Sequence, residues 1–89
     1  MNTGRYTIDV RRVQRELERL RVGNRALWED VIAAVRELET TPRPDGVVKL
    51  QGNLDGYRIR VRGFRVLYDI DDNARMIVVT NVSKRGDAY

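Results

Sequence analysis

Arg58, Arg60, Arg62 and Arg65 stand in the stretch GYRIRVRGFRVLYDI, interleaved with Tyr57, Ile59, Val61, Phe64 and Val66. A guanidinium stays protonated and presents a planar fork of donors, so a group of them suits the oxygens of phosphate or carboxylate. If Arg62-Gly63 forms a two-residue turn, Val61 lies opposite Phe64, Ile59 opposite Val66 and Tyr57 opposite Tyr68, all on one face. The same pairing sets Arg60 opposite Arg65 and Arg58 opposite Leu67 on the other, exposed face, with cross-strand Cβ atoms roughly 5 Å apart. Arginine suits a left-handed turn position poorly, so a bulge near Arg62 is the competing arrangement. A slip by one residue would bury the arginines, and the apolar alternation opposes it.

Guanidinium groups that face each other repel unless an anion or an acid lies between them. Two readings of this face follow. It is a solvated surface neutralised by Asp55, Asp69 or Asp71, or it is a cradle for a polyanion, which Lys49 upstream and Arg85 downstream would extend. The closing SKRGDAY adds Tyr89 to Arg85. An aromatic beside arginines can stack a nucleobase while the cations hold phosphate, as single-stranded nucleic-acid sites require. Taken alone, a terminal tyrosine reads equally as a frayed end or a ring packed on the core.

Composition sets the frame for these residues. The 89 residues suit one domain, 1–89, near the size where a single core suffices without staples. There is no cysteine and no histidine, so a disulfide framework and a thiolate site are excluded, and zinc would need carboxylates alone, which do not cluster. The net charge is +4, and 15 of the 17 basic residues are arginine. Residues 1–46 carry nine basic and eight acidic groups, whereas residues 47–68 carry five basic groups and one acid. The positive field therefore belongs to the middle of the chain. No apolar run is long enough to span a bilayer and no signal-peptide pattern opens the chain, which points to a soluble, cytoplasmic protein without membrane partners.

The elements that must position the arginines are legible in outline. RYTIDV alternates as a short strand over 5–9. Val10, Val13, Leu17 and Leu20 then recur at helical steps, with Asp9 placed to cap. Gly23 ends that helix, and Asn24 can cap a second one carrying Leu27, Trp28, Val31, Ile32, Val35 and Leu38. So short a connection predicts an antiparallel helical hairpin. Pro42, Pro44 and Asp45-Gly46 make a loop, and strands are predicted at about 57–62, 64–70 and 75–82, with DIDDN as the last hairpin connection. The order gives an α+β fold: an N-terminal strand, an antiparallel helical hairpin, then a three- to four-stranded antiparallel sheet with the helices on one face.

KLQGNLDGYRIRVRGFRVLYDIDD followed by VVTNVSKRGDAY resembles the RelE/ParE toxin superfamily, and in particular its RelE-type branch of messenger-RNA-cleaving toxins. The likeness spans nearly the whole chain, and the succession Lys-Leu-x-Gly, Tyr-Arg-Ile-Arg, Arg-Val-Leu-Tyr and Lys-Arg-x-x-x-Tyr is its most specific part. The resemblance implies a toxin that enters the ribosomal A site, cuts the message there, contacts ribosomal RNA and is neutralised by a cognate antitoxin in a heteromeric complex. By the same resemblance Arg58 and Arg60 occupy basic positions of the catalytic strand, Arg65 matches the arginine of the next strand, and Arg85 and Tyr89 match the terminal arginine and tyrosine. Lys49, Arg62 and Lys84 are further candidate RNA-binding residues. No metal and no cofactor are implied.

The implied reaction is attack by a ribose 2′-hydroxyl on the adjacent phosphate, which leaves a 2′,3′-cyclic phosphate and a 5′-hydroxyl. It needs a proton acceptor, stabilisation of charge on phosphorus, and a proton for the leaving oxygen. Some relatives carry lysine where Arg58 and Arg60 stand, and others use histidine or glutamate; arginine hardly loses its proton. Ser83 and Lys84 occupy positions where many relatives carry Gly-His. Catalysis in this chain would rest on positioning and electrostatics, with Tyr89 or Lys84 handling a proton and the ribosome supplying geometry. Two alternatives stand beside it: a ParE-like toxin that inhibits DNA gyrase through protein contacts, and a catalytically degenerate member that binds RNA or antitoxin.

Overall fold

The structure, a computed structural model that describes residues 5–53 and 55–84, begins with strand β1 (Thr7–Asp9), a 3-10 turn (Arg11–Val13) and helices α1 (Gln14–Gly23) and α2 (Arg25–Glu37). Strands β2 (Val48–Lys49), β3 (Gly56–Val61), β4 (Phe64–Asp71) and β5 (Met76–Lys84) follow. They form one five-stranded sheet in the order β1-β5-β4-β3-β2. The expected segregation of helices and strands is present, and the sheet is wider than its antiparallel part. The extra member is β1, which joins β5 in parallel with Thr7 beside Met76 and Asp9 beside Val78. Parallel neighbours need a long crossover, so this pairing depends on the whole intervening chain.

Local chemistry sets the helix boundaries. Asp9 Oδ1 accepts from the Arg11 backbone N–H at 2.9 Å, while its carboxylate also meets the Arg11 guanidinium at 2.7 Å. It thus closes a turn ahead of the 3-10 segment, and α1 begins at Gln14 without a side-chain cap, a different role from the helix cap expected of Asp9. The Arg11 guanidinium, aided by the backbone N–H, holds the Asp9 carboxyl down at about 2. Asn24 does cap α2: its side-chain oxygen accepts from the Leu27 N–H at 3.2 Å.

The core lies between the helical hairpin and one sheet face. Val13, Leu17, Val31, Val35 and Leu38 recur at helical spacing and bury against Ile59, Val61, Val66, Tyr68, Ile70, Ile77, Val79 and Val82. Burial of each large aliphatic side chain stabilises the fold by about 1.5–3 kcal/mol. At one end of the sheet Tyr68 donates from its hydroxyl to the Pro42 carbonyl at 2.7 Å and so anchors the two-proline loop. Arg43, from that loop, lies 5.0 Å over the Tyr57 ring and meets Asp72 at 3.0 Å. Asp72 also accepts from the Tyr6 hydroxyl. The Arg43 and Tyr6 donors lower the Asp72 carboxyl below its ordinary value.

Two stability predictions follow from these contacts. Tyr68→Phe removes the partner of a part-buried carbonyl and should cost about 1 kcal/mol in urea unfolding. Burial pushes the Tyr68 phenol from its ordinary 10.0 up to about 12. Its proton is held more tightly in the fold than in the unfolded chain, so this contribution is whole below pH 10.0 and is lost as pH rises toward about 12. Tyrosinate absorbance followed against pH in the wild type and Tyr68→Phe checks that order. Asn24→Ala should lower stability by about 1 kcal/mol through loss of the α2 cap.

Candidate nucleic-acid interface

The pairing expected across Arg62-Gly63 is the pairing observed: Val61 with Phe64, Arg60 with Arg65, Ile59 with Val66, Arg58 with Leu67 and Tyr57 with Tyr68. The turn achieves this register without a bulge because Arg62 itself takes the left-handed conformation, at φ 56. That conformation costs a side-chain-bearing residue roughly 1–2 kcal/mol. Arg62 Nη1 reaches Asp30 Oδ2 on α2 at 2.9 Å, which ties the hairpin tip to the helices.

With Tyr57, Ile59 and Val61 turned toward the helices, Arg58 and Arg60 project from the opposite, helix-free face of β3. Arg65 joins them from β4. Arg60 is exposed, Arg58 is half-buried and Arg65 retains only 9% exposure, the one buried charged side chain among the described residues. Burial of Arg65 departs from the exposed position expected of it. Flanked by strands on both sides, a central-strand guanidinium is covered by its neighbours. A buried cation is stable only with compensating interactions, and Arg65, like Arg60, is engaged within the fold. Of the aspartates proposed as neutralisers, Asp69 lies on this same face and accepts from Asn53, and Asp71 accepts from the Ala74 backbone N–H in the last turn.

A bulge in β5 completes this face. Ile70 pairs with Ile77 and Tyr68 with Val79, but Leu67 pairs with Asn81, which leaves Thr80 as the extra residue. Without it, the pairing would continue as Val66 with Asn81 and Arg65 with Val82, placing an amide in the core and a valine beside the guanidinium. The shift instead buries Val82 and sets Ser83 opposite Arg65. Thr80 Oγ1 donates to the Leu67 carbonyl at 3.3 Å within the irregularity. The helix-free face thus carries Ser83, Arg65 and Arg60 in one row across the sheet, with Asn81, Leu67 and Arg58 in the next.

Three candidate residues lie elsewhere. Lys49 pairs with Tyr57 on the other sheet face; its ammonium sits 5.1 Å over that ring and donates to the Asn53 carbonyl at 2.6 Å. It therefore does not extend the arginine face, because the two-residue alternation of β2 turns it away. Arg62 is spent on Asp30 at the hairpin tip. Lys84 pairs with Phe64 on the helix side, where it lines a groove of about 660 Å³ with Leu20, Val82 and Arg19. Arg85 and Tyr89 lie outside the described residues. Sequence reasoning passed over Ser83 as a member of the face; only the bulge brings it there. Among the described residues no group of three or more Asp or Glu is placed to hold a metal ion.

Known proteins share this architecture. Residues 9–89 match the model of a family described as the ParE toxin of type II toxin-antitoxin systems. A Methanocaldococcus jannaschii protein that carries the toxin name RelE1 is 28% identical over 89 residues, 96% of each chain. Among solved structures, the archaeal RelE–RelB complex of Pyrococcus horikoshii matches with a TM-score of 0.76 at 25% identity, over 93% of this chain and 98% of that one. The toxin–antitoxin complex RelBE2 of Mycobacterium tuberculosis matches with a TM-score of 0.74 at 26% identity, over 93% and 94%. The isolated Escherichia coli RelE toxin matches with a TM-score of 0.70 at 28% identity, over 94% and 90%. The chain therefore belongs to the ParE toxin family, within the RelE/ParE superfamily of type II toxin–antitoxin toxins.

Proposed function

We propose that this toxin is a ribosome-dependent endoribonuclease that cuts messenger RNA in the A site, acting in the cytoplasm as the single domain 1–89. The observation that carries the reading is the grouping of Arg58, Arg60 and buried Arg65 on one helix-free sheet face. A ribose 2′-oxygen attacks the adjacent phosphorus, the bond to the 5′-oxygen breaks, and the products are a 2′,3′-cyclic phosphate and a 5′-hydroxyl. Arg65 is suited to stabilise the extra charge on the phosphate oxygens, since its donors are fixed by the sheet and partly shielded from water. Exposed Arg60 and half-buried Arg58 suit the flanking backbone phosphates.

Proton transfer is the part this face is least equipped for. Its cations are guanidiniums, which stay protonated. Lys84, pointing to the helix side, gains no support as a proton carrier, which leaves that role to Tyr89, with Arg85 as a further phosphate contact, as the resemblance implies. The rate would then come from positioning on the ribosome, with slow cleavage of free RNA. The named relatives solved as RelE–RelB and RelBE2 complexes support a cognate antitoxin as partner, bound in a heteromeric complex.

The family match itself favours a second reading, a gyrase inhibitor acting through protein contacts, because the matching model is that of ParE toxins. The arginine face is the argument against it, as such an inhibitor has no use for a phosphate cradle.

Purified toxin on programmed ribosomes, with toeprinting and end-group analysis, separates the two. Cleavage in the A site with a cyclic phosphate end is the expected result. Arg60→Ala should reduce cleavage by roughly ten- to a hundredfold through loss of a charge-assisted contact, with stability unchanged. Arg65→Lys keeps the charge but loses the fork and should reduce cleavage at least as much. Intact message together with an arrest of replication on expression would replace the nuclease reading by the gyrase one.

A further inference from the structure

Ser83 is a position at which the fold leaves a polar atom without a purpose of its own. Its Oγ is buried and has no hydrogen-bond partner among the described residues. Buried polar groups are almost always paired in folded proteins, and exceptions call for an explanation such as a missing ligand. The hydroxyl is also not there by default. The Thr80 bulge turns β5 so that Ser83, and not Val82, stands opposite Arg65. Arg58 projects from the same face, and its Nε is likewise buried without a hydrogen-bond partner. Two unsatisfied donors beside a buried guanidinium describe a site for an oxyanion, since a hydroxyl among cations can best turn its proton toward negative charge.

Resting on the nuclease reading, we propose that Ser83 is a phosphate-binding residue of this site. Its Oγ–H donates to a non-bridging oxygen of the phosphodiester held by Arg65, while the Arg58 Nε–H supplies a second donor. A metal cation is unsuited to the same place because the surrounding guanidiniums would repel it. A phosphate group satisfies both orphan donors at once.

The test separates binding from cleavage. Inorganic phosphate is titrated into isotope-labelled full-length toxin while the backbone amides of residues 58–67 and 81–84 are followed by NMR. Saturable shifts in the wild type, weakened roughly ten- to a hundredfold in Ser83→Ala and recovered in Ser83→Thr, support the proposal. The thermal midpoint of Ser83→Ala should match or exceed that of the wild type, because the hydroxyl removed has no hydrogen-bond partner among the described residues. A lower midpoint would mean that the hydroxyl bonds within the protein, and equal phosphate affinity, or none in the wild type, would mean that it binds no phosphate; each result overturns the proposal. A non-cleavable 2′-O-methyl RNA in a parallel titration tells phosphodiester from free phosphate: tighter binding of the RNA with the same Ser83 dependence supports the phosphodiester, and an RNA affinity indifferent to Ser83→Ala overturns it. Should wild-type toxin bind phosphate through Ser83 yet leave ribosomal message intact, the nuclease reading fails while the anion site stands.

Discussion

The two-residue alternation of β3 and β4, locked in register by the tight turn at Arg62-Gly63, is the constraint on which the rest of the molecule depends. Because successive side chains leave opposite faces of a strand, one pairing decides every neighbour at once. Tyr57, Ile59, Val61, Val66, Tyr68 and Ile70 take the helix side together, and Arg58, Arg60 and Arg65 take the other. The hydrophobic contribution of the first set is what compels the second set to gather. A crowd of like charges is thereby held in place by burial on the reverse side of the same strands, at a site where the charges alone would separate.

The turn that enforces this register is itself under constraint. Arg62 adopts a backbone conformation that glycine or asparagine would reach more easily, and the neighbouring Gly63 does not take it over. The contact from Arg62 to Asp30 shows how the strain is held: the side chain that suffers it is anchored to α2. The same division of labour runs through the electrostatics. Asp9, Glu18, Glu29, Asp30, Glu39 and Asp72 are each engaged by an arginine outside the helix-free face. Such exposed pairs add little stability, but they remove acids that would otherwise compete for the arginines of the site.

Around Arg58, Arg60 and Arg65 that face offers donors and positive charge, with a serine hydroxyl and an amide beside them and the Asp69 carboxylate further along β4, and its guanidiniums cannot serve as proton acceptors. A site of this kind can bind and stabilise charge on phosphorus before it can move a proton. That bias is consistent with a toxin whose chemistry depends on the geometry that a larger machine imposes on its substrate.

Local pattern carried much of this. Strand alternation, helical spacing, the Asn24 cap and the prolines of the loop sufficed for the order of elements, the β3–β4 register and the grouping of Arg58, Arg60 and Arg65, because each depends on residues close together in the chain. Four features needed the folded molecule. The parallel pairing of β1 with β5 joins distant segments, and the two-residue β2 is too short to announce that Lys49 faces Tyr57 and not the arginines. The burial of Arg65 follows from neighbours on both sides of a central strand. The bulge at Thr80 is decided by the need to bury both Val79 and Val82 against the helices, a demand of packing across the core; satisfying it is what delivers Ser83 to the arginine face.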